Sequence, residues 1–548
     1  MVKKVLVIGL DGVPLPLIKK MAAEGRLPVL QKLMKEGVVS PLNSTMPHTS
    51  APAWSSFMTG KNPAKTNIYD FLYRLQGTYI FFPNDSKRRG SKAIWDILSE
   101  KNKRVVVINV PVTYPVKPVN GSFISGFLTP YGAKDYYFPP KMMDELDAEI
   151  GKYHIYPKQT YSEEHDDVFF DACHDLLNMR TNASLTLMKK GEWDFFMTVF
   201  FDTDRILHQI WHYIEPENGE QDQKKIEMVY DYFQHLDESI GKLLEEAGED
   251  TMVAVMSDHG MGSVRNMIVV NTWLLDRGFI RLKRNPFTWV KHIMYKLGFT
   301  IRNMHILADK LNLAKIVEYN IGYGADKILK KLFLSFDDVD WSRSKVYSFG
   351  RTTGPLFINL KGREPQGSVE PGEEYERVRK EIAEAVMDIT DQKTGEKLVG
   401  EVIFREDVYQ GPYFEQAPDL ILMPKDDRDV FYGLADFGAN VVSSPMYRYS
   451  GMHRIQGMLV MKSPEIKSAL ELNEADLIDV VPTVLYAMGL PVPPSMDGKP
   501  LVEVFKSPRE VIFEKEDSSL LANASDSEYS EVEAEEIEER LRDLGYLG

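Results

Sequence analysis

The chain has 548 residues, 43% of them hydrophobic, a formal net charge of -16 and a single cysteine. That length and apolar content describe a globular protein that can bury one large core or several smaller ones, with about three or four domains expected from length alone. The charge argues against general affinity for nucleic acid, Cys173 alone excludes a disulfide framework or a cysteine-rich zinc module, and no apolar run approaches the roughly 18 residues of a membrane span.

The apolar run after Met1-Val2-Lys3-Lys4 is too short for a secretory signal, so a cytoplasmic protein is expected. From Lys4 to Gly9 the chain is β-branched and apolar, too compact for a helix, and Asp11-Gly12 follows at once. A strand therefore ends on a carboxylate. A helical stretch spans Pro16 to Gly37. In the loop from Ser44 to Trp54, Pro52 fits the first turn of a helix and Ser50 the cap before it, which sets a hydroxyl against a positive helix end. Thr49 competes with it. Arg104 to Val110 is another buried strand, closed by Pro111 to Pro115 without offering a ligand.

Phe195 to Phe201 repeats the first pattern, ending on Asp202 and Asp204, with His208 four residues beyond Asp204 on a helix predicted to open there. Residues four apart share a helix face, so the Asp204 carboxylate and the His208 imidazole can point at one spot able to hold a metal ion. Asp202, nearer the strand, is the competing ligand. Ile226 to Glu246 reads as an amphipathic crossover helix, and Thr251 to Met256 is a third such strand, ending in Ser257-Asp258-His259-Gly260. This alternation predicts an α/β fold with a mostly parallel central sheet flanked by helices, and ligands of such sheets bind beyond the carboxyl ends of the strands. Singly, Asp11 could close a turn, Asp258-His259 could cap one, and Asp204 with His208 could be an exposed pair. Together, three carboxylates in one crevice would repel without a cation.

Residues 265–343 break this rhythm as a basic helical insertion, or cap. Between positions 277 and 331 there are twelve basic residues against three acidic ones, interleaved with Phe287, Trp289, Ile293, Tyr295, Phe299 and Ile306. Three readings are open: a solvated helical insertion, a lid over an anionic substrate, or a surface in peripheral contact with acidic lipid. The core, begun over 1–264, resumes over 344–505, with strands near Lys345 to Gly350, Leu356 to Leu360, Asp419 to Met423 and Met458 to Met461. Helices fall near Tyr375 to Met387 and over Asp476 to Met488, the latter ended by Gly489. His453 sits in Ser450-Gly-Met-His-Arg454, a loop before the last strand. The tail, 506–548, is acidic; its Ser/Asp/Glu centre reads as a disordered linker leading to a short docking helix near Glu535 to Leu547.

Asp11, the Ser50 loop ending in Thr59-Gly60, Asp204 with His208, Asp258-His259 and the late His453 together resemble the alkaline phosphatase superfamily. The nearest match is its type I phosphodiesterase/nucleotide pyrophosphatase branch with the microbial phosphohydrolase/phosphomutase relatives, over roughly 1–264 and 344–505. Asp479 to Thr483 and Met496-Asp-Gly498 resemble the closing helix and turn of this superfamily and its sulfatase cousins. The resemblance implies an alkaline phosphatase-like fold and a two-metal site. One cation would take Asp204, His208 and His453; the other would take Asp11, Asp258, His259 and the oxygen of Ser50, the nucleophile that becomes phosphorylated. The proline two residues after the family's nucleophile selects Ser50 over Thr49. Nitrogen and carboxylate ligands without thiolate suit Zn²⁺, with Mn²⁺ or Fe²⁺ as alternatives.

Departures narrow the activity. Trp54 stands where sulfatase maturation needs arginine, which argues against a sulfatase. Ala53 replaces the asparagine usual in animal nucleotide pyrophosphatases, and Thr66-Asn67 replaces a common His-Gly. Trp54, Tyr69 and Phe71 are candidates for the pocket wall. The expected function is a metal-dependent phosphoric ester hydrolase acting on a small-molecule substrate, with diesters preferred because no arginine adjoins Ser50. The alternatives are a phosphomutase of the cofactor-independent phosphoglycerate mutase type and a phospho-headgroup hydrolase or transferase at a membrane surface.

Overall fold

The computed structural model describes every residue except 158, 160, 162–164, 216–221, 312–330, 434–436, 448, 515–523, 528 and 544–548. At its centre lies a ten-stranded sheet. Across it run, in order, Leu470–Glu471, Val38–Asn43, Gln456–Lys462, Met252–Met256, Val5–Leu10, Phe195–Phe200, Val105–Val110, Gly121–Ser125 and Tyr137–Phe138, with Ala475–Asp476 also paired to Val38–Asn43. From Met252–Met256 to Gly121–Ser125 the strands are parallel. Gln456–Lys462 runs antiparallel to both neighbours. The expected α/β class, a mostly parallel sheet flanked by helices, is the one the chain adopts.

Its central strands are continuous apolar runs because both faces are covered. In Val5–Leu10, Leu6, Ile8 and Leu10 enter a core shared with the helices Leu15–Ala23, Asp166–Lys190, Asp202–Ile214 and Gln223–Ala247. Val5 and Val7 enter the opposite core, with the helices Ser50–Thr59, Ile94–Glu100 and Val480–Ala487. Phe195–Phe200 divides likewise, Phe196 and Phe200 to one layer and Phe195, Met197 and Val199 to the other. The stretch from Pro16 to Gly37 forms two helices rather than one, Leu15–Ala23 and Pro28–Glu36, the second begun by a proline in its first turn.

Between Ser263 and Gly451 the chain leaves this sheet and builds two four-stranded ones. The first holds Val346–Ser348, Gly354–Ile358, Leu420–Pro424 and Val399–Phe404; the second holds Arg351–Thr352, Asp429–Tyr432, Asn266–Ile268 and Ser443–Pro445. The basic stretch forms the helices Val270–Arg277, Pro286–Lys296 and Ile301–Lys310, and its positions 312–330 lie outside the described residues. So do 515–523 of the expected linker and 544–547 of the expected docking helix. The described helix, Glu531–Asp543, starts earlier than the sequence suggests; Ile537 and Leu541 are fully buried and the Arg540 Nη1 donates to the Thr129 carbonyl at 2.8 Å. Among the described residues no helix is long and apolar enough to cross a membrane.

Candidate metal centre and active site

Strand register brings the first carboxylates together. Leu10 lies opposite Phe200 and Gly9 opposite Met256, so three parallel strands end level. Asp11 and Asp258 follow two of them, and Asp204 sits in the first turn of the helix after the third, with His208 one turn on. A short antiparallel pair delivers the next candidate: Gly260–Ser263 lies against Gly451–Arg454, with Met261 opposite His453. His453 is therefore on a strand, where a loop was expected. Ser50 opens the helix Ser50–Thr59, and Thr49 takes the cap position, one residue earlier than the sequence reading placed it.

All seven residues are at most 3% exposed. In one group, His208 Nε2 lies 3.4 Å from Asp204 Oδ2 and 2.9 Å from His453 Nε2, and His453 Nε2 lies 3.3 Å from Asp204 Oδ1. In the other, His259 Nε2 lies 3.6 Å from Asp11 Oδ1 and 3.5 Å from Asp258 Oδ2. Ser50 Oγ lies 3.3 Å from Asp11 Oδ1 and 3.2 Å from His259 Nε2, two acceptors for one hydroxyl proton. The rings of His259 and His453 stack at 3.7 Å and join the groups.

The surroundings fix the orientation and charge of these side chains. His208 Nδ1 donates to the Gly451 carbonyl at 2.8 Å and His259 Nδ1 to the Gly260 carbonyl at 3.0 Å. A carbonyl only accepts, so each ring carries a proton on Nδ1 and turns Nε2 toward the carboxylates. Burial pushes His208 and His453 below the usual histidine range and keeps them neutral. Burial, then Asp258 and Asp204, hold the Asp11 carboxyl well above its usual value, and burial lifts Asp258 to about 6. Such crowding is what a cation relieves. Asp258 Oδ2 is buried with no hydrogen-bond partner. Trp54 Nε1 donates to Asp11 Oδ2 at 2.7 Å, and the Gly12 amide donates to Asp258 Oδ1 at 3.2 Å. Gly12 has φ +71°, and a Cβ there would lie 2.7 Å from Asp204 Oδ1, so both backbone and space require glycine.

Asp202 is engaged elsewhere. It forms a buried ion pair with Arg180 and lies 3.6 Å from Arg205 Nη1, which leaves Asp204 to face His208. Phe71 belongs to the core beneath the second lobe, whereas Tyr69 lines a cavity of about 520 Å³ together with Pro47, Asn67, Tyr409 and Arg351. His48, two residues before Ser50, is buried, which drives its pKa down to about 3.

Arg351 is the residue that sequence reasoning missed. It is 4% exposed, and among the described residues none of its three guanidinium nitrogens has a hydrogen-bond partner. Its Cζ lies 5.3 Å from the Tyr449 ring, whose centroid is 6.0 Å from that of His208. Thr352 beside it holds φ +75°, a strained conformation for a β-branched residue. Nothing in the local spacing marks this arginine.

A comparison with curated proteins found no match. Many solved structures are similar. Human ectonucleotide pyrophosphatase/phosphodiesterase 5 has 11% identity and a TM-score of 0.51, over 92% of this chain and 100% of that one. Phosphonoacetate hydrolase from Sinorhizobium meliloti 1021, solved with phosphonoformate, has 13% identity and a TM-score of 0.51, over 89% and 95%. At those identities the likeness shows the fold, an alkaline phosphatase-like α/β arrangement. The model of the type I phosphodiesterase/nucleotide pyrophosphatase family matches residues 5–436, a span holding every residue of the cluster except His453, and the chain belongs to that family of phosphoester hydrolases.

Proposed function

We propose that the chain hydrolyses phosphoric diesters through Ser50 at a centre of two divalent cations, zinc in the first instance and manganese or iron as alternatives. The observation that carries this reading is the convergence of Asp204, His208 and His453 in one group and of Asp11, Asp258 and His259 in another, each with ligand atoms within 4.8 Å, with the Ser50 hydroxyl against the second and the stacked rings of His259 and His453 joining the two. The donor set fits: it is all nitrogen and carboxylate oxygen, the imidazole lone pairs face inward, and one carboxylate oxygen of Asp258 has no other partner. When bound, the cations would supply Lewis-acid charge at the phosphoryl oxygens and lower the pKa of the Ser50 hydroxyl.

The chain's own groups do the rest. Ser50 Oγ gives up its proton to water and bonds to phosphorus as the bond to the leaving alkoxide breaks, the alkoxide taking a proton from water; a second water then cleaves the Oγ–P bond and its proton restores the Ser50 hydroxyl. Ser50 opens a ten-residue helix, so the amides of the first turn favour negative charge beside it. The organic part of the ester has the adjoining cavity, whose volume is in the range of small-molecule sites. There Arg351 and the buried, unpartnered Asn67 Oδ1 present a donor and an acceptor. No arginine adjoins Ser50 in sequence; Arg351 reaches the Tyr449 ring, which lies beside His208.

Turnover of bis-p-nitrophenyl phosphate by the purified chain, with metal content measured on the same sample, tests the reading; a metal-loaded protein that leaves the diester intact overturns it. Isomerisation of phosphoglycerate without release of phosphate would assign a phosphomutase instead. For Arg351 the expected result is specific. Arg351→Met should raise KM roughly 10–100-fold, the worth of a charged hydrogen bond, with kcat little changed, and Arg351→Lys should recover only part of the loss. A fall in kcat as large as the rise in KM would place the guanidinium on the reacting phosphoryl group.

A further inference from the structure

We propose that the helix Pro286–Lys296, with the exposed face of Ile301–Lys310, is a docking surface for an anionic lipid bilayer. The helix is inverted. A surface helix of a protein in water buries its apolar stripe and exposes its polar one; this helix does the reverse. Its inward face carries Thr288, Lys291 and Tyr295, all buried and all satisfied. Thr288 Oγ1 donates to Asp338 Oδ1 at 2.9 Å, Lys291 Nζ to Asp338 Oδ2 at 2.9 Å, and the Tyr295 hydroxyl to the Ala439 carbonyl at 2.7 Å. Those polar contacts lock the rotation of the helix, so its outward face is set.

That outward face presents Trp289, Val290, Ile293 and Leu297, spaced to form one stripe, with Phe287 beside it; Trp289 is 65% and Leu297 83% exposed. After the turn, Met304, Leu307 and Leu311 are exposed as well, at helical spacing. Lys283 and Arg284 precede the stripe and Lys296, Arg302 and Lys310 follow it, Lys296 paired with Asp276 and the half-buried Arg302 donating to the Pro445 carbonyl, while Asp309 is the one acidic residue from Arg277 to Leu311.

Charge complementarity chooses the occupant. A second copy docked face to face would set one basic rim against another, with no acidic row among the described residues of this face to answer it. A bilayer answers both features, since the apolar stripe enters the acyl boundary and the basic rim meets lipid phosphates. The inference does not depend on the phosphoesterase reading.

Co-sedimentation of the full chain with vesicles tests it, using phosphatidylcholine alone and phosphatidylcholine with about one third phosphatidylglycerol, where each basic residue near the surface is worth roughly fivefold in partition. The chain should sediment with the anionic vesicles, with a blue shift in tryptophan emission, and should be released by high salt. Trp289→Glu combined with Ile293→Glu should lower the partition by about tenfold or more. Melting temperature and diester turnover should match wild type, since both side chains already face water. Three results would overturn the proposal: no binding to anionic vesicles, equal binding to neutral ones, or self-association in place of vesicle binding that the double variant abolishes. If wild type binds vesicles but hydrolyses no diester, the phosphoesterase reading alone has failed.

Discussion

Ser50→Ala is expected to lower kcat on bis-p-nitrophenyl phosphate by at least about 10³-fold, because removal of a covalent nucleophile leaves only binding and electrostatic stabilisation. The expectation rests on position: Ser50 Oγ has both Asp11 and His259 within 3.3 Å, whereas the neighbouring Thr49 Oγ1 is buried with no hydrogen-bond partner. The fold should hardly notice, since the variant loses one buried hydroxyl at a cost of about 1 kcal/mol. Metal content should also persist, because Asp11, Asp258 and His259 remain. Steady-state kinetics alongside metal analysis separates the outcomes. Retention of more than about a tenth of wild-type turnover is incompatible with a nucleophilic Ser50, and a collapse on Thr49→Ala instead would move the role one residue back.

The second large effect is expected from His208→Ala combined with His259→Ala, which removes one imidazole from each group. Wild type should carry close to two cations per chain and the double variant none, with turnover reduced by at least about 10³-fold as the charge at the phosphoryl oxygens is lost. Elemental analysis reads the number and the identity of the metal together. Loss of the cations should also appear as lost stability, because Asp11, Asp204 and Asp258 are buried side by side. A ligand that binds only the folded state adds about 2.7 kcal/mol at a hundred times its dissociation constant. Wild type stripped by chelator should therefore melt at a lower temperature and recover when metal is restored. Two cations retained by the double variant would show that these histidines do not hold them.

The elements that carry the site were legible where the signal is local. Val5–Leu10, Phe195–Phe200 and Met252–Met256 are short apolar runs each followed within two residues by a carboxylate, and a strand buried on both faces can hardly be written otherwise. Asp204 and His208 share a face because helix geometry puts residues four apart together. The choice between Asp202 and Asp204 was not local: both open the same helix, and the difference is Arg180, brought from the preceding helix to pair with Asp202.

By itself, then, the chain's order of apolar runs, turns and acidic ends determined an α/β sheet with carboxylates at its carboxyl edge, since those features depend on contacts within a few residues. Tertiary structure decided what joins them. His453 enters only through the pairing of Gly451–Arg454 with Gly260–Ser263, and Arg351 only through a second sheet that no local pattern announces. The same holds for the helix Pro286–Lys296. Its sequence shows aromatic and basic residues interleaved, but which stripe faces water is set by Asp338 and the Ala439 carbonyl, groups distant in the chain. Long-range pairing selects among faces and partners that local propensity leaves equivalent, because burial and hydrogen bonding are settled only once the distant groups have met.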